Sequence, residues 1–370
     1  MLELRAGNVV ASDRDGGSAA EQRIVVELDE GARRPAIADV GLVGRCEPGD
    51  RVVINVAALD LGLGSGGFDV VHVNLTRGLD ARAGAEARVM KLNYTSLQHA
   101  VAPVEDAEPL PGPIERPTAV LALHGQLAPL AWAFAAASPD ARLGYVQTAG
   151  GALPGSRSED VRELRGRGLL AAHITAGAAF GGEAEAMSVA GALRHGLCDL
   201  GWDAAVVGPG PGIVGSASVL GHGGMAALEN LHTALALGCP TLAVARMSSA
   251  DERPRHRGLS HHTSTVLDLL LAPASALRRA PATLVLAGGA PEEEQAAPVA
   301  QDGQPLAHVA SEGARPSRIA RHDWRRAPVD LPGYAASGLQ TRTMGRAIAE
   351  DPLFFAAALA AGPVLAELMA

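Results

Sequence analysis

Apolar positions come in short runs over the first hundred residues and in longer alternating blocks after them. Runs rich in Val and Ile fall at 23–28 (RIVVEL), 51–57 (RVVINVA), 69–74 (DVVHVN) and 87–92 (ARVMKL), parted by turn-formers such as Asp15-Gly16-Gly17 and Pro48-Gly49-Asp50. No helical period intervenes, and short strands at this spacing predict a β-rich barrel or sandwich over residues 1–100. Residues 101–117 carry Pro103, Pro109, Pro111, Pro113 and Pro117 with four acidic residues, a composition that predicts a stiff, extended linker and a domain boundary. From 118 to 370 the texture changes. Strands predicted at 118–123, 143–148, 169–175, 203–207 and 240–246, with a sixth at 282–287, alternate with helices near 127–137, 158–166, 184–197 and 223–237. Near-continuous apolar strands of this kind belong in a parallel sheet covered on both faces. The predicted fold class is therefore α/β: a barrel-like β domain followed by a Rossmann-like, doubly wound parallel-sheet domain. Residues 290–306 read as a polar, solvated excursion. The apolar tail 352–370 contains Gly362-Pro363, which predicts two short packed helices; Phe354 and Phe355 suggest a face that a homo-oligomer would bury.

Composition narrows the function classes. Hydrophobic residues make up 48 % and charged residues 19 %, enough for a full core and too few charges for disorder. A formal charge of −9 argues against a nucleic-acid binder, and 11 aromatic residues are too few for base-stacking platforms. Cys46, Cys198 and Cys239 are odd in number and widely spaced, which fits a reducing compartment. The opening MLELRAGNVV has no basic region followed by an apolar core, and His124, Gly125, Gln126 and Pro129 interrupt the apolar stretch 119–137. The expectation is a cytoplasmic protein with no membrane partner. Of 31 basic residues, 30 are Arg and one is Lys91. An ammonium can lose its proton when buried and a guanidinium cannot, so Lys91 is a candidate electrophile or base, or simply a survivor of drift.

Ligands of open α/β sheets bind beyond the carboxyl ends of the strands. Those ends are His124-Gly125-Gln126, Thr148-Ala149-Gly150-Gly151, Thr175-Ala176-Gly177, Gly208-Pro209-Gly210-Pro211-Gly212 and Arg246-Met247-Ser248-Ser249. His124, Thr175, Gly177, Gly210, Gly212 and Arg246 are candidate ligand contacts, although strand-to-helix loops are often glycine-rich without a ligand. Gly210, Gly212 and Gly215 match G-x-G-x-x-G formally. The next helix begins only near Gly223 and no acid ends the following strand, so the context for a dinucleotide site is poor and the cofactor stays open. In the β domain, Gly62-Leu63-Gly64-Ser65-Gly66-Gly67 has four glycines in six residues; Gly64 and Gly66 could form a backbone wall near a ligand, or a plain loop.

The loop 251–265 (DERPRHRGLSHHTST) is the densest signal. Arg253, Arg255, Arg257, His256, His261 and His262 lie within ten residues, and Ser260 is a good N-cap for the apolar run after it. Arginines gathered at a helix N-terminus favour an anion. Arg255, Arg257 and His262 are the expected ligand contacts, with His261 or His222 as acid or base because imidazole titrates near neutral pH. A metal reading is weaker: no H-E-x-x-H pattern occurs, and the arginines would repel a cation.

Four segments carry a resemblance: PGDRVVINVAALDLGLGSGGFDVV, VMKLNYTSLQ, RHRGLSHHTSTVL and TMGRAIAEDPLFFAAALAAG. Together they resemble a bacterial family of unknown function, number 3866 of the domain-of-unknown-function series. The resemblance spans nearly the whole chain and implies one unified architecture, with no activity or cofactor to carry over. Three readings stand: an enzyme acting on a small anionic or phosphorylated metabolite, a non-catalytic ligand sensor or assembly protein, and a structural homo-oligomer.

Overall fold

The computed structural model describes residues 2–13, 20–62, 66–80, 84–106, 109–110, 112–216, 218–270, 283–288 and 322–370. Gly64 and the excursion 290–306 lie outside them. The chain divides into two compact units, Met1–Pro103 with Pro154–Arg157 and Val104–Leu153 with Ser158–Ala370.

In the first unit, β1 (Leu4–Ser12), β2 (Glu21–Leu28), β3 (Arg33–Asp39), β4 (Arg51–Asn55) and β5 (Asp69–Asn74) form a closed barrel in the order β1-β2-β3-β5-β4. Single-turn helices α1 (Val40–Val43) and α2 (Ala57–Asp60) and a hairpin of β6 (Val89–Lys91) and β7 (His99–Val101) complete the unit. Inward positions alternate as a pleat requires: Ile24, Val26 and Leu28 from β2 meet Val52 and Ile54 from β4 in the core. The sequence reading missed β1 and β3. Arg33-Arg34-Pro35 disguises β3, whose buried Ala36, Ile37 and Ala38 follow, and Arg34 is held by the buried Asp69 of β5 at 2.5 Å.

In the second unit, β8 (Thr118–Val120), β9 (Leu143–Thr148), β10 (Ala172–Ala176), β11 (Ala184–Ala186), β12 (Ala204–Pro209), β13 (Thr241–Val244), β16 (Thr283–Gly288) and β17 (Asp323–Pro328) form one parallel sheet, ordered β11-β10-β9-β12-β8-β13-β16-β17. Two-residue ladders join β14 (Met247–Ser248) to β15 (Gly258–Leu259) and β18 (Arg342–Thr343) to β19 (Arg346–Ala347). One face of the sheet is covered by α3 (Leu127–Ala137), α4 (Glu159–Gly166), α8 (Leu331–Ala336) and α9 (Pro352–Glu367). The other face is covered by α5 (Val189–Arg194), α6 (Ala226–Ala236) and α7 (His261–Leu269). The sheet is thus doubly wound, as the alternation of strands and helices predicts. The proline-rich stretch is pinned: Val104 donates its N–H to Glu185 O at 2.7 Å, and Ile114 to Leu237 O at 2.8 Å.

Two expectations are corrected. The helix expected over 184–197 begins only at Val189, because Glu185 is tied to the sheet edge, where its carboxylate accepts from Thr175 Oγ1 at 2.8 Å and Gly181 N–H at 2.6 Å. Ser188 then caps α5 by accepting from Gly191 N–H. The tail is one helix through Pro363, not two. A proline removes one helical hydrogen bond, but here the residues on every side of the helix, from Leu353 to Leu365, are buried, and that packing offsets the loss. Gly362 allows the close crossing with α3: a Cβ there would lie 2.5 Å from the Phe134 backbone nitrogen. Because α9 is covered within the chain itself, its apolar face gives no ground for a second copy. No helix among the described residues is long and apolar enough to cross a membrane.

Candidate functional site

The carboxyl ends of the adjacent central strands β12, β8 and β13 open into a cavity of about 720 Å³. His124 and Gly125 come from the end of β8, residues 211–216 from the end of β12, and Arg246 from the end of β13. The loop before α7 adds Arg253, Arg255 and His256, α7 itself adds His262, and His222 precedes α6. The β18–β19 hairpin contributes Arg342 and Thr343 from β18 and Met344 from the turn. Met344 holds a left-handed backbone, φ 47°, ahead of Gly345, and its Sδ accepts from Arg246 Nη2 at 3.4 Å. A non-glycine residue in that region is strained and persists only where its surroundings impose it.

Arg246 is the centre of the arrangement. Its side chain is 3 % exposed, Nη1 donates to His262 Nδ1 at 2.7 Å, and the nearest carboxylate, Asp251, is 3.7 Å from Nη2. Its Nε is buried with no hydrogen-bond partner. Burial, with Arg253 and Arg346 close by, pushes its pKa down to about 10, so it remains a cation at neutral pH. The surrounding charges are spoken for: Arg253 pairs with Asp251 at 2.9 Å, and Arg346 with Asp351 at 3.0 Å.

Hydrogen-bond partners fix several imidazole tautomers. His222 Nε2 donates to Val219 O at 3.0 Å, which leaves Nδ1 a buried lone pair without a donor. His262 Nδ1 accepts from Arg246, so its proton is on Nε2. His124 Nδ1 donates to Pro209 O at 3.2 Å, and its Nε2 accepts from Ser158 Oγ at 2.7 Å. Burial is the largest cause lowering the pKa of each: His124 to about 4, His256 to about 3, His261 to about 4 and His262 to about 2, with Arg246 the next cause for His256 and His262. These rings are neutral at pH 7, suited to hydrogen bonding rather than to taking a proton. The sign of the linkage follows. Folded values lie below the ordinary 6.5, so the unfolded chain protonates first and stability present above pH 6.5 is lost as pH falls through it. Asp160, whose pKa burial raises to about 6, works in the opposite sense, against these four imidazoles and against His173 and His222, whose pKa values burial also lowers. Calorimetry should therefore find a lower Tm at pH 5 than at pH 7.5; an equal or higher one would contradict the neutral cluster.

Ring nitrogens of His222, His261 and His262 all lie within 4.8 Å of one another. His222 and His262 stack with centroids 3.6 Å apart and planes 10° apart. Imidazole binds a metal along an in-plane lone pair, so stacked parallel rings cannot both aim at one ion, and Arg246 already occupies the His262 Nδ1 lone pair. As it stands, the group is a packed aromatic cluster beside a cation.

The other sequence candidates fall elsewhere. Arg257 does not line the cavity; its Nε donates to Asp251 O at 2.9 Å. His261 packs against the rings of His222, His256 and His262 without lining the cavity. Thr175 Oγ1 is held by Glu185 at 2.8 Å, and Gly177 and Gly210 do not line the cavity. Gly210 is a close-packing residue, since a Cβ there would meet Ala152 O at 2.3 Å. Lys91 is buried in the first unit, where Gly66 is an exposed loop residue. Sequence reasoning missed Asp160 and Arg342 as cavity residues. Asp160 lies in the first turn of α4, where an acid is ordinary. Arg342 sits next to the TMGRAIAEDPLFF segment, whose signal was read only as resemblance.

A family model described as "Protein of unknown function (DUF3866)" matches residues 35–362, and the chain belongs to that family. No curated protein and no solved structure matches it.

Proposed function

We propose that this member of the family binds a small anionic or phosphorylated metabolite in the cavity at the carboxyl edge of its parallel sheet. One observation carries the reading: Arg246, one of the residues lining the cavity, has a buried guanidinium with an unpartnered Nε and, among the described residues, no carboxylate closer than 3.7 Å. A desolvated cation without a close carboxylate is stabilised by an anionic ligand nearby. Arg253, Arg255 and Arg342 line the same cavity and extend the positive field. The neutral rings of His256 and His262 supply further hydrogen-bonding groups there, and a bound anion would raise their pKa values toward the range in which imidazole transfers protons. Free cysteines at 46, 198 and 239 are in keeping with a cytoplasmic setting for such a ligand.

The test is thermal stabilisation by sulfate and phosphate, which bind only the folded state and so raise Tm. Arg255→Ala should weaken that response several-fold, whereas Arg257→Ala, outside the cavity lining, should leave it near that of the unmodified protein. If neither anion shifts Tm at low ionic strength, the reading fails.

A further inference from the structure

We propose that the ligand is a small phosphorylated amine, its phosphate on the Arg246 side of the cavity and its ammonium on Asp160. This rests on the anion reading above and adds the second end of the molecule. Among the described residues, Asp160 is the one carboxylate that lines the cavity. Its side chain is 19 % exposed, and among the described residues the nearest basic group is His124 Nε2 at 3.9 Å. That imidazole cannot balance the charge: its Nδ1 proton is given to Pro209 O, its Nε2 lone pair is taken by Ser158 Oγ, and burial keeps it neutral. The cavity arginines do not balance it either. Asp251 and Asp351, beside arginines, show what pairing looks like, with contacts of 2.9 and 3.0 Å, and Asp160 has none of this kind. Burial and the neighbouring Glu159 raise the Asp160 pKa to about 6, and no arginine offsets them. Two opposite charges thus share one cavity without meeting. An ionised carboxylate withdrawn from water and left unpaired is costly, and a ligand ammonium would relieve that cost through a charge-assisted hydrogen bond. A ligand with phosphate at one end and amine at the other satisfies both ends at once.

Calorimetric titration at pH 7.5 with O-phosphoethanolamine and ethyl phosphate, which share the phosphate ester and differ in the amine, tests this. The unmodified protein should bind the amine about tenfold or more tightly, even though the amine lowers the ligand's net negative charge. In Asp160→Asn, of the same shape without the charge, that preference should vanish while ethyl phosphate binds at least as well as before. Equal or weaker binding of the amine by the unmodified protein overturns the proposal without any variant, and so does a preference that survives in Asp160→Asn. If ethyl phosphate binds and the amine adds nothing, only this inference falls. If neither compound binds, the anion reading falls with it.

Discussion

Arg246→Met should abolish sulfate-dependent stabilisation while leaving the unliganded protein close to its original Tm. Both halves follow from the burial of the guanidinium. Removing a desolvated charge that a bound anion would pair with typically costs about 2–5 kcal/mol of binding, roughly 30-fold or more in affinity. The intrinsic cost to the fold is smaller. Methionine fills much of the same volume, the desolvation penalty of a buried cation disappears, and Asp251 keeps Arg253 at 2.9 Å and Arg346 at 3.4 Å. What is lost is the Arg246 bond to His262 Nδ1, the weaker one to Met344 Sδ and the 3.7 Å contact with Asp251. A variant that melted normally and still responded fully to sulfate would show that the anion binds elsewhere.

Asp351→Ala has the opposite signature, a large loss of stability before any ligand is considered. The carboxylate is fully buried at the start of α9. It accepts from Ser248 Oγ at 2.6 Å, Ser249 N–H at 2.8 Å and Arg346 Nε at 3.0 Å, and so ties the chain beyond β13 to the C-terminal helix. Truncation leaves a buried hydroxyl without its acceptor and Arg346 with only its longer contact to Asp251. Breaking a buried pair on one side costs about 3–5 kcal/mol, which for a domain of this size lowers Tm by about 10 °C. Asp351→Asn, able to keep the backbone bond, should lose less. A Tm within about 2 °C of the original for the alanine variant would mean that the network contributes little.

The amino-acid order by itself determined most of the second unit. The strand at 143–148 and the helix at 127–137 lie where their apolar pattern puts them, because a strand buried on both faces and a helix packed against it each need an unbroken run of apolar residues. Arg246 and Gly212 were legible as strand-end residues for the same reason, and the arginine- and histidine-rich loop was legible from its density alone. What the chain does with polar residues was decided only by tertiary contact. β1 and β3 are strands because barrel closure pairs them, not because their residues demand it. Pro363 is tolerated inside α9 because neighbours cover the helix along its length, a fact absent from any local window. Arg255 and Arg257 stand two positions apart and read alike, yet one lines the cavity and the other is hydrogen-bonded to the Asp251 carbonyl. Asp160 and Arg342, far apart in sequence and unremarkable there, line one cavity because the first turn of α4 and the β18–β19 ladder both reach the edge where the central strands of the parallel sheet end. Local pattern reports how much water a segment must avoid; which charges then face one another depends on where the rest of the chain runs.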